Sequence, residues 1–369
     1  MKKLCCIFNI PSLYREAIYL SIDKAYDCEW FFENEQTDIA LFDTSQLKSR
    51  HLLEHKQLCG RLYRMQGLTK SVLFGRKNDA YLIVGAPMCL SIWVLCLLSR
   101  IFRPHCKIYF WTHGWYGKET KAERIIKKAF LKLADGLFLY GNYAKSLLVK
   151  EGFDEKRLHV IHNSLSYEVQ LALRQKIAPS DVYRAHFGSS SPVLLFIGRL
   201  TAVKKLDLVL DAVALLKKKG QRYHVVLVGD GEKKDYLSQK VHELGIDDQV
   251  WFYGPCYDEQ VNAELIFNAD LCVSPGNIGL TAIHVLMFGC PAITHKDFAH
   301  QMPEFEAIVP NKTGDFFEKD SVNSLTETIE KWFAENGLIR DLIRERCYKE
   351  IDEQWTPHFQ MEVLKTTIK

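Results

Sequence analysis

A glycine, an arginine and a lysine follow a short apolar run in the second half of the chain. The run is Val193–Ile197, and Gly198, Arg199 and Lys204 follow it in the segment FIGRLTAVKKL, where Lys205 is the alternative lysine. A glycine lets a ligand approach the backbone closely, and an arginine and a lysine a few residues apart can hold a diphosphate from two sides. Taken alone, the two cations are better explained as solvated loop residues.

A Gly-rich turn comes later, in the stretch SPGNIGLTAIHVLMFGCPAITH from Ser274 to His295. We expect Thr281 to cap a helix over residues 282–288, which Gly289 then ends. The turn would present backbone N–H groups and the positive end of a helix dipole at the carboxyl end of a strand, where an anion can bind. An ordinary strand-to-helix connection is the alternative.

A histidine lies directly after an apolar run in the first half. The segment WTHG ends the predicted strand Lys107–Trp111, and His113 is its third residue. Ligands of open α/β sheets bind at the carboxyl edge of the strands, so we expect His113 at such an edge.

The elements that position these residues are short apolar runs that alternate with helical segments. Predicted strands in the first half are Leu4–Phe8, Glu29–Phe32, Ile39–Phe42, Ala80–Val84, Lys107–Trp111, Gly136–Tyr140 and His159–Ile161. Those in the second half are Val193–Ile197, His224–Val228, Val250–Tyr253, Ala269–Val273 and Ala292–Thr294. Nearly continuous apolar strands separated by helices predict parallel sheets covered on both faces.

A chain of 369 residues is typical of two domains. The predicted boundaries are 1–188 for the first domain, 189–345 for the second, and 346–369 for a helical tail that packs back on the first. Residues 167–192 are predicted to be irregular and to end in a linker, GSSSP. The expected fold class is α/β, with two Rossmann-like domains whose parallel sheets face a cleft.

The net charge of +3 is unevenly distributed, because residues 1–175 hold 26 Lys and Arg against 17 Asp and Glu, and the remainder holds 22 against 28. A basic first half indicates a negative partner, either a membrane surface or a phosphate-bearing acceptor. The helix predicted over 118–133 has a basic face, which is either solvated or, together with Trp115 and Tyr116, rests on anionic lipid.

Eleven cysteines, mostly inside apolar runs and without a CxxC pair, favour reduced core thiols in a cytosolic protein over a structural zinc site. The amino-terminal apolar run is too short for a signal peptide. The uncharged stretch 80–99 is predicted to be a buried strand and a core-facing helix, because Gly85 and Pro87 divide it. A helix dipping into the bilayer interface is the alternative.

Taken together, the motifs of the second half resemble a known family. FIGRLTAVKKLDLVLDAVALL, VVLVGDGE, VWFYGPC, ADLCVSP and GLTAIHVLMFGCPAIT occur in the order and spacing of the C-terminal domain of retaining GT-B glycosyltransferases of family four, often called group 1. The resemblance covers nearly all of residues 193–335. In the first half, only THG, ADGLFLYGNYAKSLL and VIHNS look similar.

The resemblance implies roles for individual residues. Arg199 and Lys204 match the basic pair that neutralises the nucleotide diphosphate, and His113 matches the first-domain residue beside the reacting centre. The residues that match the donor-binding loops are Gly198, Asn277, Ile278, Gly279 and Leu280. The family needs no metal and no cofactor, and its donor is a nucleotide diphosphate sugar.

The chain departs from the family at two glutamates. Gly276 and His284 stand where the family has carboxylates that hold the donor sugar and the nucleotide ribose. His284 can still hydrogen-bond a ribose, and we expect Glu304 and Glu306 to substitute for the missing carboxylates. The first loop, FNIPSLYREAIY, also lacks the family's Gly-rich turn. The candidates for acceptor contact are Asn9, Ser12, Tyr14, Arg15, Trp115 and Tyr116.

The expected function is transfer of a sugar, with retention, to a hydroxyl of a lipid-linked or saccharide acceptor in surface polysaccharide or glycolipid assembly. The expected location is cytoplasmic and peripheral on the inner face of a membrane, with no nucleic acid partner. Two alternatives remain: a sugar-nucleotide epimerase, and a non-catalytic GT-B subunit that binds without turnover.

Overall fold

The computed structural model describes residues 1–34 and 39–369. The strands, numbered in chain order, are β1 (Lys3–Phe8), β2 (Asp27–Asn34), β3 (Arg50–Cys59), β4 (Leu62–Met65), β5 (Ala80–Val84), β6 (Lys107–Thr112), β7 (Gly136–Leu139), β8 (Leu158–Val160), β9 (Val193–Ile197), β10 (His224–Val228), β11 (Val250–Gly254), β12 (Leu271–Val273), β13 (Ala292–His295) and β14 (Gly314–Phe317). The helices are α1 (Glu16–Ala25), α2 (Leu68–Phe74), α3 (Leu90–Phe102), α4 (Lys121–Leu131), α5 (Asn142–Lys150), α6 (Tyr167–Arg174), α7 (Val182–Phe187), α8 (Asp207–Lys218), α9 (Lys234–Leu244), α10 (Glu259–Asn268), α11 (Thr281–Met287), α12 (Val322–Asn336), α13 (Arg340–Gln354) and α14 (Pro357–Thr367).

The chain divides into two compact units. Unit 1 comprises residues 1–166 and 356–369, and unit 2 comprises residues 167–355. The predicted boundary at 188/189 therefore falls inside unit 2, and the predicted tail 346–369 is split between the units. The last helix, α14, belongs to unit 1, where Met361, Leu364 and Ile368 enter the core beside α1.

The sheet of unit 1 has the strand order β4-β3-β2-β1-β5-β6-β7-β8. All neighbouring strands are parallel except β3 and β4, which form an antiparallel ribbon. The central strands are almost wholly buried, as expected for strands covered by helices on both faces. The chain leaves β1 towards one edge and returns at β5 towards the other, so the strand order reverses between β1 and β5.

The predicted strands of unit 1 differ from the structure in two places. Residues 39–42 form no strand, because only Leu41 makes an isolated bridge, to Ser12. The ribbon of β3 and β4 was not predicted. Most of its side chains are exposed on both faces, so its sequence lacks the apolar alternation that identifies a half-buried strand.

The uncharged stretch 80–99 forms β5 and most of α3, as predicted. No helix within residues 1–34 and 39–369 combines the length and the apolar character needed to cross a bilayer.

Helix α4 begins at a capping box formed by Thr120 and Glu123. Its buried residues are Phe130 and Leu131, whereas Ile125 is 71% exposed and Ile126 47% exposed. The predicted apolar side of this helix is therefore only partly buried, because α4 contacts the core mainly through its last turn.

The sheet of unit 2 has the order β11-β10-β9-β12-β13-β14 and is parallel throughout its described pairings. Its strand order reverses between β9 and β12. Residues 167–187, predicted to be irregular, form α6 and α7. Each of these short helices packs on the rest of unit 2 through only a few side chains, so the sequence shows little helical periodicity there. Tyr183 donates to the carbonyl of Leu265 at 2.6 Å, and the ring of His186 stacks on that of Trp251 with centroids 3.8 Å apart.

Candidate functional site

The basic pair of the sequence lies at the point where the strand order of unit 2 reverses. Gly198 and Arg199 follow β9, and the Gly-rich turn 274–280 follows its neighbour β12. Ligands of open parallel sheets bind at the carboxyl ends of strands at such a reversal. The topology therefore brings together two segments that the sequence separates by more than seventy residues.

Glycines make room for the backbone at this edge. Gly229, after β10, has φ +143°, and a Cβ there would lie 1.9 Å from the carbonyl oxygen of Gly198. The segment is tied by backbone hydrogen bonds from Gly198 to Val228 at 2.9 Å and from Leu200 to Asp230 at 2.8 Å. The GDGE motif thus fixes the loop that carries Arg199.

Lys204, not Lys205, is directed to the Gly-rich turn. The Lys204 Nζ donates to the carbonyl oxygen of Asn277 at 2.5 Å, whereas Lys205 forms an ion pair with Asp320 at 3.3 Å. Arg199 is exposed and, within the described part of the chain, has no acidic partner. Burial and then the nearby charge of Arg199 lower the pKa of Lys204, against the opposing effect of Glu304.

Arg199 and Lys204 are therefore close enough to interact, and neither is neutralised by an ion pair. An arrangement of two cations at the carboxyl edge of a sheet can bind a polyanion such as a diphosphate.

Gly276 is packed against the loop that holds Lys204. Its N–H donates to the Lys204 carbonyl at 3.0 Å, and a Cβ at this position would lie 1.9 Å from the carbonyl oxygen of Val203. No side chain fits there. Gly276 therefore allows a direct backbone contact between the two loops.

Two buried side chains hold the Gly-rich turn. Thr294 donates to the carbonyls of Ser274 at 2.8 Å and Gly276 at 3.0 Å. Gln301 donates to Thr294 Oγ1 at 2.8 Å and accepts from the N–H of Ile278 at 3.0 Å. The Ile278 N–H, predicted to contact the donor, is thus already hydrogen-bonded to Gln301.

The N–H groups of Gly279 and Leu280 have no acceptor among the described residues. Thr281 does not cap α11 as predicted; its hydroxyl donates to the Ile197 carbonyl at 3.1 Å, and Leu280 is the residue at the cap position. The Thr281 hydroxyl thereby links α11 to the end of β9.

His284 has a carboxylate partner that the sequence did not suggest. Its Nε2 lies 3.0 Å from Glu259 Oε1, which also accepts from Gln170 at 2.7 Å. Burial acts to raise the pKa of Glu259, but the hydrogen bond and charge of His284, with the Gln170 bond, outweigh it and lower that pKa. A carboxylate thus lies directly beside position 284, supplied by α10 instead of α11.

Of the two predicted substitutes, Glu304 is buried in the 3-10 segment Pro303–Ala307 and near enough to Lys204 to raise its pKa. Glu306 is half-buried in the same segment. Unit 2 thus brings together Arg199, Lys204 and Glu304 with the Gly-rich turn.

In unit 1, His113 follows β6 and lies against Tyr140, with ring centroids 4.7 Å apart. Its Nδ1 is buried without a hydrogen-bond partner. Burial, then the charges of Arg15 and Lys127, lower its pKa to about 4. His113 is therefore a neutral imidazole at neutral pH, able to accept a proton or a hydrogen bond.

We expect an NMR titration of His113 to give a pKa near 4, well below the usual value of about 6.5. Because the ring is neutral in the folded chain, unfolding takes up a proton at acid pH. Its contribution to stability is full above about pH 6.5 and is lost as the pH falls towards about 4. In His113→Gln the acid-induced loss of unfolding free energy should be smaller; an equal loss in both proteins would contradict the assignment.

The acceptor candidates have different environments. Arg15 is buried beside Tyr140, with Tyr14 against it at 5.5 Å. The Ser12 hydroxyl is buried and faces its own loop, at 3.4 Å from the Ile10 carbonyl. Asn9 is half-buried, and its carbonyl accepts from the N–H of Glu33.

Trp115, predicted to contact an acceptor or a lipid, is 4% exposed and belongs to the hydrophobic core, which leaves its ring little surface for such a contact. Tyr116 is half-buried and lines a cavity of about 360 Å³ with Met88, Lys118 and Lys127. The Nζ of Lys127 lies 4.8 Å from the centre of the Tyr116 ring.

Gln301, Thr294, Glu259 and Tyr140 were missed as site residues. Gln301 and Glu259 lie in segments without a motif, and only the fold places them at the site. Tyr140 could have been predicted from the sequence, since it ends a predicted strand at the same edge of the sheet as His113. Within residues 1–34 and 39–369, no three His, Cys, Asp or Glu side chains are grouped to hold a metal ion.

Residues 183–350 match the family model of Glycosyl transferases group 1. Mannosylfructose-phosphate synthase of Agrobacterium fabrum is 29% identical over 162 residues, which are 40% of this chain and 34% of that protein. A GDP-mannose-dependent alpha-(1-6)-phosphatidylinositol dimannoside mannosyltransferase of Mycobacterium tuberculosis is 32% identical over 120 residues, 31% of this chain and 30% of that one. The match thus spans about a third of the length of these curated relatives.

Solved structures are similar over the whole chain. Anabaena HepE in complex with UDP superposes with a TM-score of 0.73 at 16% identity, over 100% of this chain and 99% of that one. The apo form of the lipopolysaccharide outer core galactosyltransferase WaaB gives 0.69 at 15% identity, over 99% of both chains. The chain thus has the α/β fold with two parallel-sheet domains of GT-B structures, and its residues 183–350 are similar to the Glycosyl transferases group 1 family.

Proposed function

We propose that this protein is a glycosyltransferase that moves a sugar from a nucleoside diphosphate donor to a hydroxyl group of an acceptor. The observation that carries the proposal is the pair Arg199 and Lys204, two cations without ion-pair partners in the described chain, at the strand reversal of unit 2. When a glycosidic bond to a diphosphate breaks, negative charge grows on the leaving phosphate. Fixed cations there stabilise the transition state more than the ground state.

The same pair allows catalysis without a metal ion, because it supplies the positive charge that a divalent cation would otherwise bring. The UDP bound in HepE supports a uridine donor, whereas the mycobacterial relative uses GDP-mannose. We propose a hexose as the transferred group and retention of configuration, as the family resemblance implies.

For the acceptor, we propose a lipid-linked saccharide in surface polysaccharide or glycolipid assembly, reached at a membrane surface. WaaB acts on lipopolysaccharide outer core, and the mycobacterial relative on a phosphatidylinositol dimannoside. Unit 1 supports a peripheral membrane contact through apolar side chains on the surface of α3 and α4. These exposed residues are Leu90, Val94, Leu97, Ile101, Ile125 and Ile126.

Their arrangement on α3 is regular. Leu90, Val94, Leu97 and Ile101 recur at spacings of four, three and four residues, so they form one stripe along the helix. Basic residues of the same unit, such as Lys121 and Lys132, are exposed on the neighbouring α4 segment. An exposed apolar stripe with basic neighbours is typical of a surface that rests on anionic lipid.

The test is to incubate the purified protein with UDP- and GDP-sugars and to follow nucleoside diphosphate release, with and without a polyprenyl-diphosphate saccharide, in the presence and absence of EDTA. We expect release that depends on the acceptor and continues in EDTA. An epimerised donor without release would identify the epimerase alternative. Nucleotide binding with no turnover of any donor would identify a non-catalytic subunit and overturn the proposal.

A further inference from the structure

Arg15 is a buried cation without a carboxylate partner. Its side chain lies in the loop between β1 and α1, and the residue is only 9% exposed. Within residues 1–34 and 39–369, no Asp or Glu oxygen forms an ion pair with it; its Nη2 donates to the Tyr140 hydroxyl, and the Tyr19 hydroxyl also lies close to the guanidinium. A buried, unpaired guanidinium costs several kcal/mol of free energy, so a structural role alone is a poor explanation for it.

Other polar groups with unused hydrogen-bonding capacity lie beside this guanidinium. The Nδ1 of His113 is buried without a hydrogen-bond partner, and the Tyr19 hydroxyl is buried close to the guanidinium. Tyr140 contacts both basic residues, because its ring centroid is 4.7 Å from that of His113 and 5.7 Å from the Arg15 guanidinium carbon. Donors from three elements of unit 1 therefore converge on one place.

The position of this cluster in the sheet also favours a ligand. Arg15 follows β1, at the point where the strand order of unit 1 reverses between β1 and β5. His113 follows β6 and Tyr140 follows β7, at the same carboxyl edge. This is where open α/β sheets bind their ligands.

We propose that Arg15, with Tyr140 and His113, binds a phosphate group of the acceptor substrate. A guanidinium has five N–H donors in a planar fork that matches phosphate oxygens, and most of those of Arg15 have no protein acceptor. Aromatic rings of Phe8, Tyr14 and Tyr140 lie 5.9, 5.5 and 5.7 Å from its guanidinium carbon and hold its plane in place. The assignment of this phosphate to the acceptor substrate rests on the proposed function. The binding of an anion by Arg15 does not depend on it.

The binding test uses inorganic phosphate and the histidine NMR signal of His113, which reports on this cluster and not on phosphate bound elsewhere. At constant ionic strength we expect a saturable change in that signal. Arg15→Met should raise the Kd for phosphate at least tenfold, whereas Arg61→Met, which removes an exposed arginine of the same unit, should leave it unchanged. A signal that ignores phosphate, or responds equally in Arg15→Met, overturns the site.

Two further variants keep the test decisive if Arg15→Met does not fold. Arg15→Lys retains the charge but loses the fork, and should weaken phosphate binding about three- to tenfold. Tyr140→Phe removes the hydroxyl beside Nη2 that would also donate to the phosphate, and should weaken phosphate binding about three- to tenfold. If acetate proves the tighter ligand of the wild-type cluster, the assignment to phosphate is overturned in favour of a carboxylate.

The link to the acceptor is tested separately, by comparing glycerol phosphate, a polyprenyl phosphate in detergent and their dephosphorylated forms as acceptors. Arg15→Met should raise KM for the phosphorylated forms at least tenfold and change KM for the dephosphorylated forms less than threefold, whereas Arg61→Met should change neither. Preference for the polyprenyl form would identify a lipid source of the phosphate. Phosphate binding through Arg15 in a protein that turns over no donor would refute the proposed function and the acceptor role, yet retain the anion site.

Discussion

Lys204→Met should lower kcat for sugar transfer by a factor of about 100 to 1,000, the usual loss when one fixed group that stabilises a developing anion is removed. Lys204 contacts the Gly-rich turn through the Asn277 carbonyl and lies within the influence of Arg199. The change leaves Arg199 in place but removes half of the positive charge that faces the diphosphate. Turnover at saturating donor and the Kd for UDP and GDP measure the loss.

The chain offers a matched control in the next residue. Lys205 has the same side chain, but it pairs with Asp320 at 3.3 Å and is 49% exposed. Lys205→Met should therefore change kcat and nucleotide affinity less than threefold. Equal losses in the two variants would mean that general positive charge, and not the position of Lys204, matters for turnover.

Gly276→Glu, which introduces the glutamate that the family resemblance predicts at this position, should destabilise the protein. The Cβ would meet the Val203 carbonyl oxygen at 1.9 Å, and backbone atoms on both sides cannot move as a flexible side chain can. We expect a loss of about 3 kcal/mol or more in unfolding free energy, since overpacking against rigid backbone exceeds the usual cost of a misfit side chain. For unit 2, this corresponds to a fall in Tm of roughly 6–12 °C.

Gly276→Ala separates the steric clash from the added charge and should show most of the same loss. A suitable comparison is Gly254→Ala, where φ is +92° but no atom lies within 4 Å of the new Cβ. That change carries only the strain of a left-handed residue, about 1–2 kcal/mol. If Gly276→Ala proved as stable as the wild type, the direct contact between the two loops would not exist.

The sequence predicted the elements that carry strong periodicity or long apolar runs. Of the twelve predicted strands only Ile39–Phe42 is absent. The others were predictable because a buried strand is recognisable in the sequence as a short apolar run. The ribbon of β3 and β4 was invisible for the opposite reason, as its side chains are exposed. Helices α6 and α7 are short and owe their positions to a few contacts, such as that of Tyr183 with Leu265, that no local pattern encodes.

For the candidate site, sequence order predicted Arg199 and Lys204, because each lies in a motif beside a strand. It did not predict Glu259, which reaches His284 from α10, or Gln301, which takes the Ile278 amide from a loop. It did not predict that Trp115 is buried, because an aromatic residue next to lysines has the same composition whether its ring points inwards or outwards. Partners from distant segments are fixed only when the chain folds.

The division of unit 1 into residues 1–166 and 356–369 has a consequence for how the protein is made. A ribosome delivers all of unit 2 before it delivers α14, so unit 2 can fold while the core of unit 1 still lacks Met361, Leu364 and Ile368. Until then, apolar surface of α1 stays open to solvent and to other nascent chains. Synthesis of α14 therefore completes the core of unit 1, and we expect the nascent chain to be prone to aggregation until that helix has been made.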